Sequence, residues 1–144
     1  MGRRILQMLM FGVAFLAACG GPGSGPEPLP LDRVNCAKCS MLISTAANAG
    51  QALVPGEETR FYDDIGCLAA DAAATTQGAR RFVQLANGAG WASVDAVWFA
   101  VSPDASTPMA YGFAAFSAEA EARRADTKGL AWRWEEISLR AGAR

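Results

Sequence analysis

Residues 60–78 read RFYDDIGCLAADAAATTQG, and the order of element types within them decides the fold. Asp63 and Asp64 are both good helix N-caps, because a short carboxylate can accept the N–H groups that the first turn leaves unbonded. An alanine-rich segment follows, and Gly78 is a natural stop. This predicts a helix starting just after Asp64, with Cys67 in its first turn. There the helix dipole lowers a thiol's pKa and favours the thiolate. The competing reading of Cys67 is a small apolar residue that packs the helix on a sheet.

On both sides of this helix the pattern is β-like. Upstream, Met41–Ser44 is a short apolar run read as a strand, with Gln51–Val54 as its neighbour. Downstream, Phe82–Ala86 reads as a strand ending in the Asn87-Gly88 turn signal, and Ala96–Val101 as another. A second helix is expected over Phe113–Ala125, with Gly129 beyond it. Leu130, Trp132 and Trp134 alternate with Arg133 and Glu135, as a half-buried last strand would. The stretches DDIGCLAADAAA (63–74) and MAYGFAAFSAEA (109–120) echo one another at a fixed offset, matching Gly66 with Gly112. The expected class is α+β: one compact domain of two related ββαβ units, about 36–86 and 94–137.

The N-terminal stretch has a different character. Arg3 and Arg4 precede an apolar run from Ile5 to Ala18, the anatomy of an export signal that is too short to span a membrane. It ends in Leu16-Ala17-Ala18-Cys19, which resembles the bacterial lipobox. That resemblance implies removal of residues 1–18 and lipid attachment to Cys19, with Gly20 compatible with outer-membrane sorting. Residues 19–31 are Gly- and Pro-rich and read as a tether reaching about 40 Å at full extension, which leaves 32–144 as the domain. The chain has 13 basic and 14 acidic residues. The basic residues are scattered and not interleaved with aromatics, so nothing favours nucleic acid.

With Cys19 lipidated, the domain keeps Cys36, Cys39 and Cys67. An odd set fits poorly with a scaffold built only on disulfides. Of the five methionines, Met1, Met8 and Met10 leave with the signal. Met41 and Met109 remain, and Met41 stands two residues from Cys39. The chain contains no histidine. This excludes a CxxCH haem attachment and the histidine-dependent catalytic arrangements. It also removes the commonest zinc and Cu(II) ligand. Thiolate, thioether and carboxylate groups are left, and the sulfur donors are soft and select Cu(I).

The blocks CxxCxM at 36–41, FYDDIGCL at 61–68 and TPMAYGFAAF at 107–116, behind a lipoprotein-type signal, resemble the NosL family of nitrous oxide reductase accessory lipoproteins. The resemblance implies a pair of ββαβ units and a lipid-anchored copper chaperone on the periplasmic side of the membrane. Such a protein takes Cu(I) from a membrane copper donor or transporter complex and passes it to nitrous oxide reductase. Carried over by position, the metal ligands are Cys39, Met41, Cys67 and Met109. Cys36 is either a further ligand or the residue that oxidises Cys39 when copper is absent. Asp63 and Asp64 would serve as helix cap and supporting acceptors. Two positions depart from the pattern: Ser40 and Ala110 stand where the family has glycines, each adding a Cβ where the backbone would need freedom. The alternative function is a thiol–disulfide oxidoreductase using Cys36 and Cys39. Against it, the pair lacks a strand–CxxC–helix context, and Cys67 and both methionines would be unexplained. A purely structural disulfide, and a zinc site of three cysteines and an aspartate, are the other readings.

Overall fold

The computed structural model describes residues 25–72, 78–103 and 105–144. The expected signal segment and Cys19 lie outside the described residues. Among those described, no helix is long and apolar enough to cross a membrane.

The first half is an antiparallel sheet of β1 (Gly50–Leu53), β2 (Arg60–Tyr62), β3 (Arg80–Gln84) and β4 (Trp91–Ser93), in the order β2-β1-β3-β4. Strand β1 is interior and buried at all four residues, because it is paired on both sides. The helix α1 (Ile65–Ala70) follows β2 directly, with Asp64 as its N-cap. Its first five residues are buried between the sheet and the C-terminal helix. Gly50 permits the close approach, since a Cβ there would lie 2.8 Å from Leu68 Cδ2. The helix is shorter than expected: it ends at the C-cap Asp71, whose carboxylate accepts the Tyr62 hydroxyl at 2.8 Å. Residues 73–77 of the expected continuation lie outside the described residues.

The second half begins with a 3-10 turn at Val94–Ala96, followed by β5 (Trp98–Val101) and β6 (Phe113–Phe116), a two-stranded antiparallel pair. Next come α2 (Glu119–Ala125) and α3 (Trp134–Gly142). On its other side, β5 meets Trp132 in an isolated antiparallel bridge, with both N–H···O bonds at 2.9 Å. Strand β5 thus sits between β6 and Trp132 as β1 sits between β2 and β3, so the second unit repeats the ββαβ order with a single bridging residue in place of its last strand. A parallel bridge between Leu85 and Ala115 joins the two sheets.

Four expectations are corrected. Met41–Ser44 is not a strand but part of a loop that closes with one Asn35–Leu42 bridge. The helix predicted over 113–125 is a strand followed by a helix. Phe113 and Ala115 face the core with period two, and the helix starts only at Glu119. Leu130–Trp134 contributes one bridging residue, not a strand. The Arg133 N–H donates to Glu136 Oε2 at 2.7 Å, starting α3, and Trp134, Ile137 and Ala141 bury one helical face. The echo between 63–74 and 109–120 aligns α1 with β6 and is not the structural correspondence. That correspondence runs β1 to β5, β2 to β6 and α1 to α2. Strand β4 was not foreseen.

The segment read as a free tether also differs at its C-terminal end. The backbone N–H of Glu27 donates to Gln51 Oε1 at 2.8 Å, and Gln51 Nε2 donates to the Glu27 carbonyl at 3.0 Å. Gln51 is fully buried, so this exchange satisfies an amide that would otherwise be costly to bury. Leu29 packs against the core beside it.

Candidate metal centre

Two backbone devices bring three thiols together. The first is the turn at 36–41. The Ser40 N–H donates to the Cys36 carbonyl at 2.9 Å, and the Cys36 N–H donates to the Met41 carbonyl at 2.8 Å. The Ala37 N–H ties the turn to the Phe61 carbonyl of β2 at 2.8 Å. Ser40 has φ 65°, the left-handed conformation that reverses the chain so that Met41 returns beside Cys36. The second device is the start of α1, where the Cys67 N–H donates to the Asp64 carbonyl at 2.9 Å and fixes Cys67 in the first turn.

The Sγ atoms of Cys36, Cys39 and Cys67 and a carboxylate oxygen of Asp63 all lie within 4.8 Å of one another. Donors about 2.3 Å from a shared ion would be slightly closer together than this, so small side-chain movements bring all four onto one ion. Cys36, Cys67 and Asp63 are buried and Cys39 is half-buried, so the cluster opens to solvent at Cys39. The three thiols are free. The Cys39 thiol donates to both oxygens of Asp63, at 3.4 and 3.5 Å.

The sequence reading grouped Asp63 with Asp64, and the structure separates them. Asp63 points into the thiol cluster. Asp64, fully buried, accepts the Gly66 N–H on Oδ1 at 2.8 Å and the Met109 N–H on Oδ2 at 2.9 Å. One carboxylate therefore caps α1 and holds the backbone of Met109 against it. Next to Met109, Ala110 adopts φ 56°, and the Tyr111 ring lies over Gly66. A Cβ on Gly66 would fall 1.9 Å from Tyr111 Cγ. Arg144 donates to the Ala110 carbonyl at 2.9 Å and stacks 5.3 Å from the Tyr111 ring centre. Met41 and Met109 are 47% and 39% exposed. Each sits on a segment hydrogen-bonded to the residues that frame the thiols. The contributions of Tyr111, Gly66 and Arg144 had no sequence signal beyond the Gly66-Cys67 adjacency.

Comparison with protein-family profiles and with curated proteins finds no match. Among solved structures, the chain is similar to the crystal structure of the copper chaperone NosL from Shewanella denitrificans. The TM-score is 0.62 at 15% sequence identity, and the match covers 80% of this chain and 96% of that one. This chain has the NosL fold.

On this NosL fold the cluster is electrostatically uneven. The Cys67 thiol, hydrogen-bonded to the Cys36 sulfur, draws Cys36 down to about 6 against the opposing effect of burial. The same hydrogen bond, together with burial and the neighbouring negative charge, pushes Cys67 strongly up. Burial is the largest influence on Cys39, which is pushed up to about 11. At neutral pH the buried pair is thus a thiolate paired with a thiol, and Cys39 keeps its proton toward Asp63. A soft cation entering such a cluster would meet one thiolate already formed and would displace protons from the other two thiols.

Proposed function

We propose that this chain is a Cu(I)-binding metallochaperone, anchored through lipid on Cys19 at the periplasmic side of the membrane, that delivers copper for maturation of nitrous oxide reductase. The observation that carries the reading is the convergence of three thiols in a chain without histidine, on a fold shared with a copper chaperone. Thiolates suit Cu(I) over harder divalent ions. In this reading Cys39, Met41, Cys67 and Met109 supply ligands, and Cys36 adds the buried thiolate. Thioethers are neutral and hold the ion less tenaciously than thiolates. A mixed set with its methionines at the surface therefore favours handover. Transfer is ligand exchange, from a membrane copper donor to this site and then to the reductase, with no bond made or broken in a substrate.

The test is titration of the reduced protein with Cu(I) against a competing chelator, with Cys67→Ser and Met109→Ala as comparators. Cys67→Ser is expected to weaken binding at least 100-fold, and Met109→Ala less. Equal affinity in all three proteins overturns the proposed site.

A further inference from the structure

The three thiols that hold the metal in this reading also form a chemically distinct unit, because they differ in access. Cys39 is the half-buried member, and an incoming disulfide can reach its sulfur. Cys36 is three residues away on the same tight turn, and Cys67 belongs to the buried first turn of α1. All three sulfurs are within 4.8 Å of one another, whereas a disulfide requires about 2.05 Å. Cys36 and Cys39 can close that distance by adjusting side chains within a loop. Cys67 is 1% exposed and is held on a separate element, the first turn of α1, whose first five residues are buried.

We propose that Cys36 and Cys39 are a thiol–disulfide exchange site that locks the metal-free protein against its ion. The Cys39 thiol gives up its proton to solvent as its sulfur attacks a low-molecular-weight or protein disulfide, forming a mixed disulfide and releasing one thiolate, which takes up a proton. The Cys36 thiolate then displaces the second thiol, leaving a Cys36–Cys39 bond. Two electrons pass from the chain to the external disulfide, and Cys67 remains reduced. Two of the three sulfurs are then withdrawn from the centre. A dithiol reductant reverses the exchange at the accessible Cys39 sulfur. Here the chain is the substrate of the exchange, not its catalyst. A bound ion occupies the same sulfurs, so metal binding and the disulfide exclude each other.

The sequence provides a clean readout, because trypsin cuts after Arg33, Lys38, Arg60 and Arg80. Cys36, Cys39 and Cys67 therefore fall on separate peptides, 34–38, 39–60 and 61–80. The metal-free full chain is equilibrated with oxidised glutathione, alkylated, digested and mapped by mass spectrometry. The expected product is peptide 34–38 joined to 39–60. It should persist in Cys67→Ser and be absent in Cys36→Ser. Oxidised protein should lose Cu(I) uptake and regain it with dithiothreitol, and Cu(I)-loaded protein should resist cross-linking. A cross-link to 61–80, no intramolecular cross-link, or full Cu(I) uptake by the cross-linked protein would overturn the proposal. The inference rests on the copper reading only for its consequence. The cross-link is read without metal, so a reduced chain that fails to bind Cu(I) is a separate result.

Discussion

At the scale of single residues, the centre is built by groups whose backbone role equals their chemical one. Asp64 links the α1 N-terminus to the Met109 backbone with one carboxylate. Replacing it by alanine removes a cap worth about 1 kcal/mol and a second buried hydrogen bond of about the same size. Asp64→Ala is expected to lower stability by about 2 kcal/mol in urea unfolding and to weaken Cu(I) binding by loosening Met109. Stability loss with unchanged Cu(I) affinity would limit Asp64 to capping. Ser40 and Ala110 are the two departures from the family pattern seen in the sequence, and both sit in left-handed conformations beside a methionine. A Cβ there is strained by about 1 kcal/mol. Ser40→Gly and Ala110→Gly should each raise the urea midpoint by a corresponding amount, and a lowered midpoint in either contradicts this account. These positions were legible because a glycine pattern reports on φ directly. The inward aim of Asp63 was not, because adjacent aspartates differ only in the backbone angles that precede a helix.

At the scale of elements, legibility followed the strength of the local signal. The α1 start and the β3 strand with its Asn87-Gly88 turn were readable from capping and turn chemistry. The β6–α2 boundary was not, since Phe113–Ala125 is alanine-rich throughout. The strand there exists because β5 offers a partner, a non-local cause. Trp132 likewise has a two-residue period in sequence but only one bridge, because the spacing after Arg133 turns helical. What holds this second unit is Asp126, the buried C-cap of α2. It accepts the N–H groups of Val101 at 2.8 Å, Lys128 at 2.8 Å and Leu130 at 3.1 Å, and Trp132 Nε1 at 2.7 Å. Burial alone would raise its pKa, but the donors from Val101, Leu130, Trp132 and Lys128 together bring it below the usual carboxylate value. A lowered folded-state pKa means that Asp126 adds stability above about pH 4, where the unfolded chain's aspartates ionise. That contribution is lost as pH falls through the folded value. Urea midpoints measured from pH 6 down to pH 2 should fall more steeply in the wild type than in Asp126→Asn. Parallel curves would mean that the ionised carboxylate carries no extra stability.

At the scale of the whole molecule, the centre joins segments that the chain keeps far apart. The 36–41 turn precedes the first unit and is tied to β2. Cys67 lies on α1, which packs against both the first sheet and α3. Through Asp64 and Arg144 the Met109 turn is tied to α1 and to the end of α3. An ion bound by ligands from these segments is a cross-link between the two ββαβ units, and it exists only in the folded chain. Binding to the native state alone stabilises by RT ln(1 + [L]/Kd), about 2.7 kcal/mol when free ligand is a hundred times Kd. For a domain of this size that raises Tm on the order of 10 °C. Calorimetry in reductant with chelator-buffered Cu(I) should show the rise in the wild type. Cys67→Ser at the same free copper should show much less of it, because the α1 arm of the cross-link is missing. Met41→Ala keeps all three thiols and should retain most of the shift. An equal rise in Cys67→Ser and wild type would mean that the ion does not engage α1 through Cys67.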